Sequence, residues 1–465
     1  MNNNYDSSYS IINHIIANNG GEIDNFDSVY SQALYLCNLL GAEVSETGST
    51  YDVLNGLITF LGGTVSNFDS VYTQLLYIAE LLQIEVDDTS NYDILYSLKD
   101  ATVTGWGGLK FTALAETPVY YQKNDTTNTC EYSLDGGSTW QPLTTTPVTL
   151  QTGDEMCLKG TITSDNTQTT AGHFAKFVIP SGSIKASGNI MSMMYGDDFA
   201  DKLDTKYIEA FFGLFISCYI TDAEELELPA TTLSNMCYMS LFDSAKLTKM
   251  PKVLPATTIP EGAYSCMFRF TPLTAITTTL PATTLGDGAY YYMFYSCSSI
   301  TQSVIEELPA LVVPTDGYKG MFYKCKFQNP PHIKATKAGN NAMQQMFSQN
   351  EFTTAPAIDV VEAANETFAN MFYGCTNLVD GAVIHLPSVV ATGTTDTLYR
   401  VIFRLYNGCT KLERCWFEAT DIPTSAADNY GADGLFNGTS QPITMYHKST
   451  DDWYMTATNV TQVQY

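Results

Sequence analysis

The chain has 465 residues, with 22 Lys plus Arg against 49 Asp plus Glu and a net charge of −27. So acidic a chain repels a phosphate backbone, which argues against nucleic acid as a partner. Apolar residues make up 45% and charged residues only 15%. That is enough apolar material for real cores, with far less charge than the usual quarter. Thr, Asn, Ser, Gly and Tyr supply the polarity, a mix suited to extracellular or virion β-structure. The length predicts about three domains.

Residues 1–100 contain a repeat: NFDSVYSQALYLCNLLGAEV (Asn25–Val44) recurs as NFDSVYTQLLYIAELLQIEV (Asn67–Val86), offset by 42. Phe68, Val71, Tyr72, Leu75, Ala79 and Leu82 follow the i, i+3, i+4, i+7 spacing of a helix face. Asn25, Thr50, Asn67 and Asn91 stand at N-cap positions, and Gly41 and Gly62-Gly63 where helices stop. Five short stacked helices are predicted. The region carries 14 Asp or Glu, with Lys99 its only base. Such one-sided charge serves solubility or steers docking onto a basic partner surface.

Residues 101–196 change character. Leu109–Ala113, Val119–Gln122, Glu131–Leu134, Val148–Leu150, Met156–Lys159 and Phe174–Ile179 read as short strands of a β-sandwich of immunoglobulin-like size. SLDGGSTW (Ser133–Trp140) reads as a tight hairpin turning at Asp-Gly-Gly. The string also resembles the Asp-box of sialidases. A sialidase needs clustered arginines for a carboxylated sugar, and the four arginines of the chain, Arg269, Arg400, Arg404 and Arg414, all lie outside this region.

Residues 197–440 repeat with a period in the twenties. LELPATTL (Leu226–Leu233), KVLPATTI (Lys252–Ile259) and TTLPATTL (Thr278–Leu285) start 26 apart. Each precedes an apolar pair ending in Phe, and the pairs run Leu214-Phe215, Leu241-Phe242, Met267-Phe268, Met293-Phe294, Met321-Phe322, Met346-Phe347, Met371-Phe372, Ile402-Phe403 and Leu435-Phe436. From Phe215 to Phe372 the spacings are 27, 26, 26, 28, 25 and 25, the mark of a solenoid whose coils bury their apolar sides against each other. Each Phe is expected to point inward, forming a ladder of stacked rings. Three residues on, Cys218, Cys297, Cys325 and Cys375 share a slot with Ala245, Thr271 and Asn350, a pattern predicting a narrow, mostly apolar column. Leu247, Leu273, Ile300, Phe327, Phe352 and Leu378 should each start a short strand. Residues 441–465 are expected to form a C-terminal cap.

MFYGCTNL (Met371–Leu378), the LPATTL copies and the leading GNIMSMMYGDDF (Gly188–Phe199) resemble BspA-type leucine-rich repeats. CTKLERCWFEATDI (Cys409–Ile422) looks like their closing coil, and the module around Ser133–Trp140 resembles a β-domain that precedes such repeats. The resemblance covers about residues 109–460. It implies a multidomain α+β chain ending in a leucine-rich-repeat-like β-solenoid. Its known settings are surface adhesins of gut bacteria and the tailed phages that infect them. Repeats after Pro309 lose LPATT and Ser388–Arg400 carries an insertion, so those coils are expected to be distorted or to face a partner.

No chemistry-bearing motif emerges. His14, His173, His332, His385 and His447 lie far apart. No HExxH, GxSxG, P-loop or GxGxxG pattern occurs. Asp197, Asp198, Asp201 and Asp204 lack EF-hand alternation and read as a capped helix start. Glu224-Glu225 and Glu306-Glu307 read as solvated charges rather than a glycosidase pair. The 11 cysteines, including Cys409 and Cys415, read as reduced buried thiols. No catalytic residue, metal ligand or cofactor is nominated, and no binding residue is assigned. MNNNYDSSYS has neither a positive n-region nor an apolar core, so no signal peptide is expected.

The expectation is a non-enzymatic phage virion protein, a head or tail fibre or decoration. Residues 1–100 would anchor it to capsid or tail proteins, and the solenoid would bind a host-surface glycan or protein. A homo-oligomer is expected, with a trimer favoured by analogy. Alternatives are a bacterial cell-surface adhesin and, further off, a carbohydrate hydrolase. Synthesis in the host cytoplasm without membrane insertion is expected.

Overall fold

The structure is a computed structural model of the whole chain. It describes residues 106–123, 128–162, 175–326, 328–385, 401–418, 432–448 and 459–464, and in the first hundred residues 50–61 and positions 33, 34, 36, 37, 74, 77 and 78. The chain divides into two compact units, Met1–Thr102 and Val103–Tyr465.

In the first unit, α1 spans Thr50–Phe60 and buries Val53, Leu54, Leu57 and Ile58, the i, i+1, i+4, i+5 stripe of a helix with one packed face. Asn55 Oδ1 accepts a hydrogen bond from Gln74 Nε2 at 2.8 Å. Ala33, Leu34, Leu36, Cys37, Gln74, Tyr77 and Ile78 are also helical. The rest of the expected five-helix stack lies outside the described residues.

The second unit opens with β1 (Lys110–Ala113), β2 (Thr117–Gln122), β3 (Thr129–Ser133), β4 (Gln141–Pro142), β5 (Val148–Leu150), β6 (Glu155–Thr161), β7 (Lys176–Val178), β8 (Ile184–Asn189) and β9 (Ile220–Glu227). One sheet has the order β4-β3-β6-β1-β8-β9 and the other β5-β2-β7. β2 alternates buried and partly buried residues along its whole length, as a strand with one inner face must. Phe111 and Tyr121 meet Phe177 at 5.0 and 5.2 Å between ring centres. The sheet does not end at residue 196: β8 pairs in parallel with β9, Ile184 against Ile220 and Asn189 against Glu227. β9 carries the chain into the first coil, so the two regions share a sheet.

Beyond β9 the chain is a stack of coils. A ladder of rings runs through Phe177, Phe215, Phe242, Phe268, Phe294, Phe322, Phe347, Phe372, Tyr406 and Phe436, with steps of 5.3 to 6.1 Å. The expected rung at Phe403 is corrected: Tyr406 takes it, and Phe403 is only half-buried. Cys409 follows Tyr406 by three residues, as Cys218, Cys297, Cys325 and Cys375 follow their Phe. A second column of rings stacks four residues earlier in the five coils from Phe215 to Phe322, through Phe211, Tyr238, Tyr264, Tyr290 and Tyr318.

The ladder segments are not helices. In the coil of Phe294, Tyr292, Phe294 and Ser296 donate their amides to Lys319, Met321 and Tyr323 of the next coil, while Met293 and Tyr295 donate three residues back. This alternation satisfies amides locally and between coils by turns. It is produced by a positive φ every fourth residue, at Gly288 (62°), Tyr292 (52°) and Ser296 (58°). Other coils place Ser240, Ser244, Asn341, Gln345 and Gln349 in the same way.

The remaining walls are two-residue parallel strands. Thr258-Ile259 pairs with Thr284-Leu285, and Val312-Val313 with Lys337-Ala338 and Glu362-Ala363. Coils without LPATT therefore stay in register. The motif's buried positions persist as Leu308, Ala310, Ile333, Ala335, Ile358 and Val360, and burial rather than the motif's lettering carries the coil. The insertion at Ser388–Arg400 lies outside the described residues. Strands begin two residues past Leu273 and Ile300 rather than on them, at Ala275 and Gln302. The last strands, Asp380–His385, Arg414–Glu418, Ile443–His447 and Val460–Gln464, form one parallel sheet that passes through the expected boundary at 440.

Candidate functional site

The interior of the coils is filled. Phe, Met and Cys of the ladder segments are almost all at 0% exposure, so whatever the second unit binds must meet its walls. The Phe-plus-three slot, expected to be mostly apolar, is apart from Ala245 a column of buried side chains that donate to backbone carbonyls. Cys297, Cys375 and Cys409 reach the carbonyls of Phe268, Phe347 and Phe372 at 2.9, 3.1 and 3.0 Å. Asn350 Nδ2 reaches those of Phe322 and Phe347 at 2.7 and 3.1 Å. Burial pushes the Cys218, Cys297 and Cys375 thiols up to about 12, which makes them structural donors rather than nucleophiles.

The surface of the ladder segments changes along the stack. The coils of Phe215 and Phe242 show small or aliphatic residues there, such as Ile216, Ser217 and Ser244. In the next three coils a ring follows the ladder Phe within two residues, as Phe270, Tyr295 and Tyr323. Phe270 is 50% exposed and stands at 87° to Tyr295, 5.6 Å away. Tyr295 stacks on Tyr323 of the next coil at 4.4 Å, almost parallel. Tyr291 and Tyr292 lie 4.1 Å apart, and Tyr292 is 4.7 Å from Tyr295. The aromatic run Tyr290–Tyr292 is thus divided: Tyr290 is core, and its two followers are partly buried. Burial, then the neighbouring Tyr291, pushes the Tyr292 hydroxyl up to about 12.

Cations border these rings. Lys324 Nζ sits 5.4 Å from the Tyr323 ring centre, Lys319 Nζ 5.7 Å from that of Tyr291, and the Arg269 guanidinium 5.4 Å from that of Phe270. Arg269 Nε also donates to the buried Asp243 carboxylate at 2.9 Å, and Lys319 pairs with Asp316 at 3.1 Å. Lys324 is exposed and makes no ion pair among the described residues. Gln349 Nε2 donates to the Tyr323 hydroxyl at 2.8 Å.

The residues singled out in sequence are placed apart. Asp197 pairs with Lys159 at 2.9 Å, Asp201 with Lys202 at 2.5 Å, and Asp204 accepts from the Tyr195 hydroxyl at 2.6 Å. Gly196–Asp198 is a single 3-10 turn, and no helix starts on this acidic run, contrary to its reading as a capped start. Glu224 faces Lys249 and Lys252, and Glu225 faces Lys185. His332 meets Asp359 at 2.9 Å, His385 meets Glu418 at 2.8 Å, and His447 is buried. His14 and His173 lie outside the described residues. No group of three or more His, Cys, Asp or Glu could hold a metal among the described residues. No described helix is long and apolar enough to cross a membrane.

Ser133–Trp140 is a hairpin whose Asp135 carboxylate accepts from the Ser133 hydroxyl, the Thr139 amide and the Thr139 hydroxyl at 2.6, 2.8 and 2.7 Å. Those bonds, Ser133 first, hold Asp135 down at about 2. Trp140 packs edge-on against Trp106 at 4.7 Å. The Ser133, Asp135, Ser138 and Thr139 side chains of the Asp-box all bond within the turn itself.

This geometry defines a β-rich protein of stacked repeats. No protein-family model and no curated protein matches the sequence. Among solved structures it is similar to the crystal structure of a leucine-rich repeat protein from Bacteroides ovatus, with 13% identity and a TM-score of 0.25, over 62% of this chain and 74% of that one.

Proposed function

We propose that the chain is a structural and binding protein of a phage virion, a head or tail fibre or decoration of the BspA-repeat type. The acidic residues 1–100 attach it to capsid or tail proteins, and the coils are displayed toward the host surface. The observation that carries this reading is the filled ladder running from Phe177 to Phe436. Such a column commits its interior to packing and leaves long walls as the working surface, which suits display. Composition adds support, since low charge and abundant Thr, Asn and Tyr suit a particle exposed to the medium.

Mass spectrometry and immunogold labelling of purified particles of the encoding phage test the proposal. Stoichiometric amounts located on fibres support it. Absence from particles, with the chain found instead on bacterial cells, overturns it in favour of an adhesin.

A further inference from the structure

We propose that the aromatic shelf of Phe270, Tyr291, Tyr292, Tyr295 and Tyr323, with Lys324 at its rim, binds an acidic oligosaccharide. This rests on the host-surface reading above and names the face and the ligand chemistry.

Three observations converge on this face. First, the half-exposed Phe270 and the partly buried Tyr291, Tyr292, Tyr295 and Tyr323 form one chain of ring contacts across three consecutive coils at 4.1 to 5.6 Å. Scattered surface rings need no explanation; a contiguous group does. Second, the rings combine two kinds of contact. Tyr295 and Tyr323 are stacked on each other and so present edges and hydroxyls, while Phe270, perpendicular to Tyr295, is half exposed. Hydroxyl donors and acceptors beside a bare ring match the polar edges and C–H faces of a pyranose. Third, the charge is locally reversed. The chain carries −27, but the cations at this shelf are Arg269, Lys319 and Lys324, against Asp243 and Asp316. Lys324 is left to face an incoming anion. A carboxylated sugar repelled by most of this surface finds complementary charge here.

Size selects the occupant. A stable protein interface needs roughly 800 Å² per partner with an apolar centre. A strip one or two rings wide along three coils is far smaller, and fits two or three sugar units. Gln349, bonded to the Tyr323 hydroxyl, and Ser296 add polar contacts at the margin.

Titration calorimetry of the full chain with trigalacturonate, and with galactotriose as the uncharged counterpart, tests the proposal. Trigalacturonate should bind, and binding should weaken as salt screens the charge. Phe270→Ala and Lys324→Gln should each reduce affinity about tenfold, with unchanged thermal unfolding because both side chains are exposed. No binding of trigalacturonate, equal binding of galactotriose, or affinity indifferent to both substitutions overturns the proposal. Adsorption of the full chain to host cells separates the two readings. Adsorption that survives both substitutions refutes the shelf and leaves the display function standing. No adsorption by the parent chain refutes the display function itself.

Discussion

Phe294 lies between Phe268 at 5.4 Å and Phe322 at 5.8 Å, with no exposed surface. Removing the ring leaves a cavity that coils hydrogen-bonded on both sides cannot collapse to fill. Phe294→Ala should lower stability by about 3–5 kcal/mol, read as a shift in the urea midpoint with the slope unchanged. Asn350 tests the donor column. Its amide donates to Phe322 O, which also accepts the Cys325 amide at 3.2 Å, and to Phe347 O, so Asn350→Ala removes side-chain bonds without leaving the Phe322 carbonyl bare and should cost about 0.5–1.5 kcal/mol. Asn350→Cys restores the group used at Cys297 and Cys375, and should recover most of the loss in the same measurement.

At the scale of an element, the ladder segment depends on residues held at positive φ every fourth position. An L residue there is strained by about 1–2 kcal/mol, which inter-coil amide bonds must offset. Gly320 (φ 58°) differs from the serines in equivalent places because an added Cβ would lie 2.1 Å from the Tyr292 ring. Gly320→Ala should therefore lower the melting temperature by several degrees and expose Tyr292, whereas Ser244→Gly, at φ 60°, should change it little. The Asp135 hairpin carries a pH signature. Its carboxyl is held at about 2, below its ordinary value of 3.8, so folding favours the ionised form. The stabilisation is complete above the unfolded pKa and disappears as pH falls through about 2. Trp140 fluorescence should report loosening over that acid range, and Asp135→Asn should remove the transition.

At the scale of the molecule, the β8–β9 pairing and the Phe177–Phe215 stack make the sandwich and the coils of the second unit share a core. Unfolding followed at Trp140 and in the far-ultraviolet bands of the coils should coincide. Proteolysis should yield no stable fragment ending at 196. All 11 cysteines are free and buried, and burial raises the thiols of the ladder column. A thiol reagent at pH 8 should label almost none in the native protein and all after denaturation. Rapid native labelling would show that the coils open.

The period of the coils and the inward Phe were legible in the sequence because a solenoid writes its core in one dimension. Each coil buries against its neighbours, so residues one period apart share an environment. The rung at Tyr406 is hidden in the sequence because a longer coil breaks the period and the nearby Phe403 competes for the place; Cys409, three residues on, is the mark of the true ring. Other features depended on the tertiary structure. The union of β8 with β9 joins strands more than thirty residues apart, and no local pattern encodes a parallel pair of that kind. In Tyr290-Tyr291-Tyr292 the letters are identical, yet the alternation of backbone turns sends one ring inward and leaves two at the surface. Hydrophobicity determined how much of this chain is buried; which of three equal rings meets water was decided by the φ angles that stacked coils impose on one another.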